Sequence, residues 1–168
     1  MTDIAALIIF PLAMTYAAFS DLFTMTISNW ISLILVIAYI GLAFALGIAW
    51  TDMAWAFACG ALVLAVTFGM FCAGWMGGGD AKLASASAIW LGWAHIMNYG
   101  IIAAIFGAVL TLVIVGIRFR PFPSFLPRYG WMMRLHDKNQ GIPYGIALAV
   151  AGLCVYPQSQ IWLATIGL

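Results

Sequence analysis

The stretch from Leu83 to Ile117 runs for 35 residues without a lysine, arginine, aspartate or glutamate. As a single helix it would be about 52 Å long, whereas the hydrocarbon core of a bilayer is about 30 Å thick. The run is therefore predicted to break into two helices, of which the first is short. The predicted hairpin is Trp93 to Gly100, where His95 and Asn98 interrupt the apolar sequence.

The composition places the whole chain in a membrane. Of its 168 residues, 66% are hydrophobic and only 7% are charged, against about 25% charged residues in a soluble domain. The cysteines form no Cys-x-x-Cys pair, and the two histidines lack further ligands at a workable spacing for zinc. We expect an all-α membrane protein, a single domain over residues 1–168, with no metal, no cofactor and no nucleic-acid partner.

Shorter apolar runs supply the other spans. They are Ile4–Ser20, a helix from near Asn29 to near Trp50, Met53–Met76, and a last segment that starts near Pro143. Pro157 is expected to kink or end that last helix, because proline lacks the N–H that a helix interior needs. With two helices from the long run, the sequence predicts six transmembrane helices.

The basic residues fit this six-span topology. If the N-terminus lies outside, the inside segments are 21–29, 77–82 and 118–140, and these contain all six lysines and arginines. None falls on the outside, where Asp3 and Asp52 lie. Because cytoplasmic loops carry an excess of basic residues, both termini are predicted to be external and residues 118–140 to form a cytoplasmic loop.

Asp21 and Asp80 then lie at the same cytoplasmic face, each at or near a helix end. A carboxylate at the bilayer centre costs roughly 2.5–3.5 kcal/mol, so such a residue is a functional-site hypothesis. Two close carboxylates share a proton, so that one accepts a proton from water while the other polarises a carbonyl. Other interpretations are a helix cap at Asp80 or an ion site of a small transporter. The spacing alone does not decide whether the two acids meet.

Three motifs resemble those of bacterial prepilin peptidases, which are Gly-x-Gly-Asp aspartyl proteases. They are Gly77-Gly78-Gly79-Asp80 with Ala81-Lys82-Leu83, Asp21 followed by Ile27-Ser28-Asn29, and Ile142-Pro143-Tyr144-Gly145. The motifs come in the family's order and cover nearly the whole chain. The resemblance is closest to the short members that serve tight-adherence (Flp, type IVb) pili.

The resemblance implies a six-helix Gly-x-Gly-Asp bundle in the bacterial cytoplasmic membrane that removes the leader peptide of a prepilin at the cytoplasmic face. The implied catalytic residues are Asp21 and Asp80. The residues implied to shape the site or bind substrate are Asn29, Gly77, Gly78, Gly79, Lys82, Pro143, Tyr144 and Gly145. The expected partners are the prepilin and membrane lipid, and the oligomeric state is left open. A non-catalytic pilus-assembly scaffold with the same fold is the alternative.

Two departures from the family pattern limit what the resemblance implies. Ser28 stands where the family usually has proline, and the few polar residues after Asp21 replace the cytoplasmic insertion of larger members. Methylation of the new pilin N-terminus is therefore not expected. Lys82 is expected to extend toward lipid headgroups, and the glycines and the turn at 143–145 to offer backbone groups to the substrate.

Overall fold

A computed structural model describes residues 2–120 and 129–167, and within these ranges it is helical with no strand. This confirms the all-α prediction. Residues 121–128, including Arg128, lie outside the described residues. The helices are α1 (Thr2–Thr24), α2 (Asn29–Ala45), α3 (Trp50–Cys72), α4 (Gly78–Arg118), α5 (Gly130–His136), α6 (Gly145–Val155) and α7 (Gln160–Ile166).

Three of these helices, α1, α3 and α4, are long and apolar enough to cross a membrane. A fourth candidate is the pair α6 and α7, which is bent by 44° across the 3-10 turn Tyr156–Gln158. The kink predicted at Pro157 lies in this turn. Since α2 has only 17 residues, length and composition support three to four spans, and six spans remains a prediction.

The long apolar run breaks at Gly92, where φ is 65° and ψ is −178°. Only glycine adopts this backbone conformation readily. The chain folds back at this point, because Gly79 packs on Ile27 while Gly107 lies against the Tyr144 hydroxyl. Both contacts belong to one region, since Ile27 also touches Gly145. A straight helix would separate residues 79 and 107 by about 42 Å.

The predicted break is therefore confirmed, but its predicted position is wrong. Trp93 to Gly100 is helical, and His95 and Asn98 lie within the helix that follows Gly92. We call residues 78–91 the first arm of α4 and residues 93–118 its second arm. A polar residue does not interrupt a helix whose backbone hydrogen bonds are intact, whereas a glycine with positive φ does.

The first arm is the centre of the bundle, and residues 83–91 are buried throughout. Small side chains allow neighbouring helices to approach closely. On α3, a Cβ added to Gly60 would lie 2.5 Å from Cγ1 of Ile89. Ser85 donates a hydrogen bond of 2.9 Å to the Gly60 carbonyl. This packing fixes the axis of the helix that begins at the Gly-rich motif.

The bounds of three helices differ from the sequence prediction. Helix α1 continues past Ser20 to Thr24, so that Asp21 lies in its last turn. Helix α2 ends at Ala45, before the predicted bound near Trp50, and α3 covers Trp50–Cys72 instead of 53–76. The loop at 118–140 also contains a helix, α5, which the sequence analysis did not predict.

Candidate active site

Asp21 continues the buried face of α1. Ala6, Phe10, Met14 and Ala17 follow one another at helical spacing, and all are fully buried. Asp21 comes four residues later on the same face and is 5% exposed. Its Oδ2 accepts a hydrogen bond of 2.7 Å from the backbone N–H of Gly145, at the start of α6. A carboxylate therefore occupies the position that the next apolar core residue would take.

Asp80 lies in the first turn of α4, whose N-cap is Gly77. Its carboxylate turns back on the helix start, so that Oδ2 lies beside Gly77, in the position that the third residue of a capping box takes. The other oxygen, Oδ1, is buried and has no hydrogen-bond partner among the described residues. Capping thus accounts for one oxygen only. A buried acceptor without a partner costs about 1–3 kcal/mol of folding free energy. The unpaired Oδ1 therefore favours a functional role for Asp80.

Ile27 brings the two acidic segments together. A Cβ added to Gly79 would lie 3.1 Å from the Cβ of Ile27 and 3.2 Å from its carbonyl oxygen. On the other side, a Cβ on Gly145 would lie 2.6 Å from Cδ1 of Ile27 and 2.8 Å from Oδ2 of Asp21. Asp80 directly follows Gly79 in the chain. The structure therefore brings the segments that carry the two carboxylates to one isoleucine, which the sequence did not indicate as a site residue.

The three glycines of the motif do different work. None has a positive φ, so a left-handed backbone conformation is not the reason for glycine at these positions. A Cβ on Gly77 would lie 2.9 Å from Oδ2 of Asp80, and a Cβ on Gly79 would lie 3.1 Å from the Cβ of Ile27, so neighbouring groups would have to shift at either position. A Cβ on Gly78 would make an ordinary contact of 3.4 Å with Phe71. Close approach of other groups therefore requires the first and third glycines, while the second does not.

Lys82 and Asn29 form a pair beside the carboxylates. The Lys82 ammonium donates a hydrogen bond of 2.8 Å to the side-chain oxygen of Asn29, the first residue of α2. Lys82 is exposed, as expected for a side chain near the headgroups, but its observed partner is protein. The pair joins the start of α2 to the first arm of α4.

A cavity of about 580 Å³ opens next to Asp80. This volume is within the range of about 300–1,000 Å³ that is usual for ligand sites. Asp21 does not line the cavity, and neither do Gly78, Gly79, Pro143 and Gly145. Of the predicted site residues, Gly77, Asp80 and Tyr144 do. The other lining residues are Met70, Gly74, Trp75, Met76, Arg118, Gln140, Gly141 and Ile142.

The segment at 143–145 packs against the site. Pro143 is fully buried, and the Tyr144 hydroxyl lies so close to Gly107 that any side chain there would overlap it. The sequence predicts that the turn at 143–145 offers backbone groups to the substrate, and the Gly145 N–H is one of these groups. It is instead donated to Asp21, so this turn contributes to the carboxylate site.

No three histidine, cysteine, aspartate or glutamate side chains of residues 2–120 and 129–167 are grouped as a metal site requires. Asp52 lies at the other end of α3 from the cavity beside Asp80. There it accepts a hydrogen bond of 3.2 Å from Gln160.

Comparison with known families gives a match to a part of the chain that contains Asp21 and Asp80. The sequence model of the Type IV leader peptidase family matches residues 8–112, which is more than half of the chain. The chain belongs to this family. Both acidic residues fall inside the matched part, whereas residues 143–145 lie beyond it. No curated protein and no solved structure matches the chain.

Membership in the Type IV leader peptidase family has direct consequences for function. It indicates an aspartic-type peptidase in general, with a type IV leader peptidase-like function and a pilin precursor as the general class of substrate. The apolar helices indicate a membrane protein. The family match itself does not name the catalytic residues.

Proposed function

We propose that this protein is a membrane aspartic endopeptidase that removes the leader from type IV pilin-like precursors at the cytoplasmic face, in support of pilus assembly. Residues 1–168 form one peptidase domain of the tight-adherence type, and Asp21 and Asp80 are its catalytic pair. One observation carries the assignment. The buried carboxylate of Asp21 and the half-buried carboxylate of Asp80 come from separate helices whose segments meet at Ile27, and Asp80 has an unpaired oxygen beside a cavity.

The chemistry follows from a pair that shares one proton. The ionised carboxylate accepts a proton from a water molecule, and the water oxygen attacks the carbonyl carbon of the scissile peptide bond. The protonated carboxyl donates its proton to the carbonyl oxygen. Collapse of the tetrahedral intermediate breaks the C–N bond. The leaving nitrogen takes up the proton that water gave, and a hydroxyl of the intermediate returns a proton to the other carboxylate, so that the pair again shares one proton. No covalent enzyme intermediate is needed.

The short connection between α1 and α2 argues against a methylation activity in addition to the peptidase activity. Only residues 25–28 separate these helices, so that the chain holds no insertion at the position where larger family members carry one. We therefore propose no methylation of the new N-terminus.

Leader release by the purified protein tests the proposed function. In detergent, with a synthetic prepilin, we expect cleavage that survives chelators and inhibitors of serine and cysteine proteases. A preparation carrying Asp80→Asn controls for contaminating proteases. Absence of cleavage by a folded wild-type protein would favour the pilus-assembly scaffold, and loss of cleavage on chelation would contradict the two-acid mechanism.

We further propose six membrane crossings in the bacterial cytoplasmic membrane, made by α1, α2, α3, the two arms of α4, and α6 with α7. Both termini are external in this arrangement. In a background without the three native cysteines, Thr2→Cys is expected to react with an impermeant maleimide from outside and Ser124→Cys only after permeabilisation. Labelling of both from the same side would rule this topology out.

A further inference from the structure

Arg118, the last residue of α4, turns its side chain back onto the protein. Its Nε donates to the Leu135 carbonyl at 2.8 Å, Nη1 to the Gln140 carbonyl at 3.0 Å, and Nη2 to the Gly141 carbonyl at 2.8 Å. The side chain is half-buried. An arginine that only fixed membrane topology would extend to the headgroups and leave these carbonyls to water.

The segment that Arg118 binds is connected through a few residues to the hydrogen-bond partner of Asp21. Three residues separate Gly141 from Gly145, and among them Pro143 has a fixed φ and is fully buried. The position of the Gly145 N–H, which binds Asp21, therefore depends on where Gly141 is held. Arg118 and Gly141 also line the cavity beside Asp80.

A second set of contacts fastens the same segment to α1. Leu135, whose carbonyl accepts a hydrogen bond from Arg118, belongs to the last turn of α5. From the same helix, Arg134 donates to the Phe23 carbonyl, and the Trp131 ring meets the Phe23 ring edge-on at 5.3 Å. Phe23 lies two residues after Asp21. Helix α5 thus connects the end of α4 to the end of α1.

We propose that Arg118 is a positioning residue for the peptidase reaction, and this inference rests on the proposed function. Its guanidinium holds residues 140–145 so that the Gly145 N–H remains on Asp21 and the wall of the cavity stays in place. The planar fork of arginine is required because three carbonyls are bound in different directions. A lysine keeps the charge but offers a single ammonium point.

The test compares Arg118→Lys with Arg120→Lys. Arg120 is an exposed cation two residues away and serves as the matched control. For Arg118→Lys we expect kcat to fall about tenfold or more with KM within about twofold, because small misplacements of catalytic groups cost up to about 100-fold. Backbone amides of residues 140–146 should exchange hydrogen faster. Arg120→Lys should resemble the wild type in both measurements.

Chemical rescue separates positioning from a general loss of structure. Millimolar guanidinium is expected to restore part of the kcat of Arg118→Ala and to leave the wild type unchanged. Unchanged amide exchange in Arg118→Lys would contradict the proposal that the Arg118 guanidinium holds residues 140–141 in place. Faster exchange with unchanged kcat would overturn the positioning role and leave the proposed function intact. An inactive wild type would overturn the proposed function, and the positioning role with it.

Discussion

Replacement of Asp21 or Asp80 by asparagine is expected to abolish leader release without unfolding the protein. The substitution preserves side-chain size but removes a group that exchanges protons. General acid–base groups contribute roughly 10²- to 10⁴-fold each, so each variant should lose about a thousandfold or more in kcat/KM. The measurement is leader release by purified protein, with the thermal midpoint in detergent recorded alongside.

The structure also predicts the sign of the stability change. In Asp21→Asn the amide oxygen can still accept the Gly145 N–H, so this contact between α1 and α6 is kept. In Asp80→Asn a buried, unpaired carboxylate oxygen is replaced by a neutral group, which is cheaper to bury. Both variants should therefore melt at or above the wild-type temperature, as expected when function is maintained at the expense of stability.

Asp52→Asn is the matched control for both variants. Asp52 lies at the end of α3 that is far from the cavity beside Asp80, and it accepts a hydrogen bond from Gln160. Its substitution should therefore leave leader release near the wild-type rate. Near wild-type turnover of either Asp21→Asn or Asp80→Asn would exclude that residue from catalysis. A large drop in melting temperature would instead mean that the carboxylate is structural.

Hydrophobicity and charge were enough to predict the class of fold, but not all of its geometry. The break in the long run follows from its length, and the kink at Pro157 from the chemistry of proline. The predicted position of the hairpin is wrong because His95 and Asn98, which are typical of turns, are both accommodated within a helix. The sequence does not distinguish Gly92 from the other glycines of a chain that has 17, because packing decides which of them adopts a positive φ.

The two acidic residues could be selected from the sequence, but their meeting could not be derived from it. Because α1 is apolar on all sides, the buried face that ends in Asp21 is invisible as a periodic pattern. Ile27 was recognised only as part of a motif, although it contacts both glycine segments. The sequence indicates for Arg118 only a role in membrane topology, because its three carbonyl partners come from a loop whose path the sequence does not reveal. The catalytic roles of Asp21 and Asp80 stay predictions.

The second large loss of activity is expected from substitution of a glycine in the Gly77–Asp80 motif. Gly79→Ala places a Cβ 3.1–3.2 Å from the backbone and Cβ of Ile27, which cannot rotate away. The start of α4 must then shift by a few tenths of an ångström, and Asp80 moves with it. We expect kcat/KM to fall about tenfold or more. Gly78→Ala is the matched control and should stay within about twofold of wild type, because its Cβ makes only an ordinary contact with Phe71.

Gly145→Ala tests the same contact from the other side. The added Cβ would lie 2.6 Å from Cδ1 of Ile27 and 2.8 Å from Oδ2 of Asp21, so a loss of at least about tenfold is expected. Ile27→Val removes the offending Cδ1, and the double variant should therefore recover part of the lost activity, while the contact with Asp21 limits the recovery. If Gly78→Ala were as damaging as Gly79→Ala, or if Ile27→Val gave no recovery in the Gly145→Ala background, close packing around Ile27 would not be what holds the two carboxylates together.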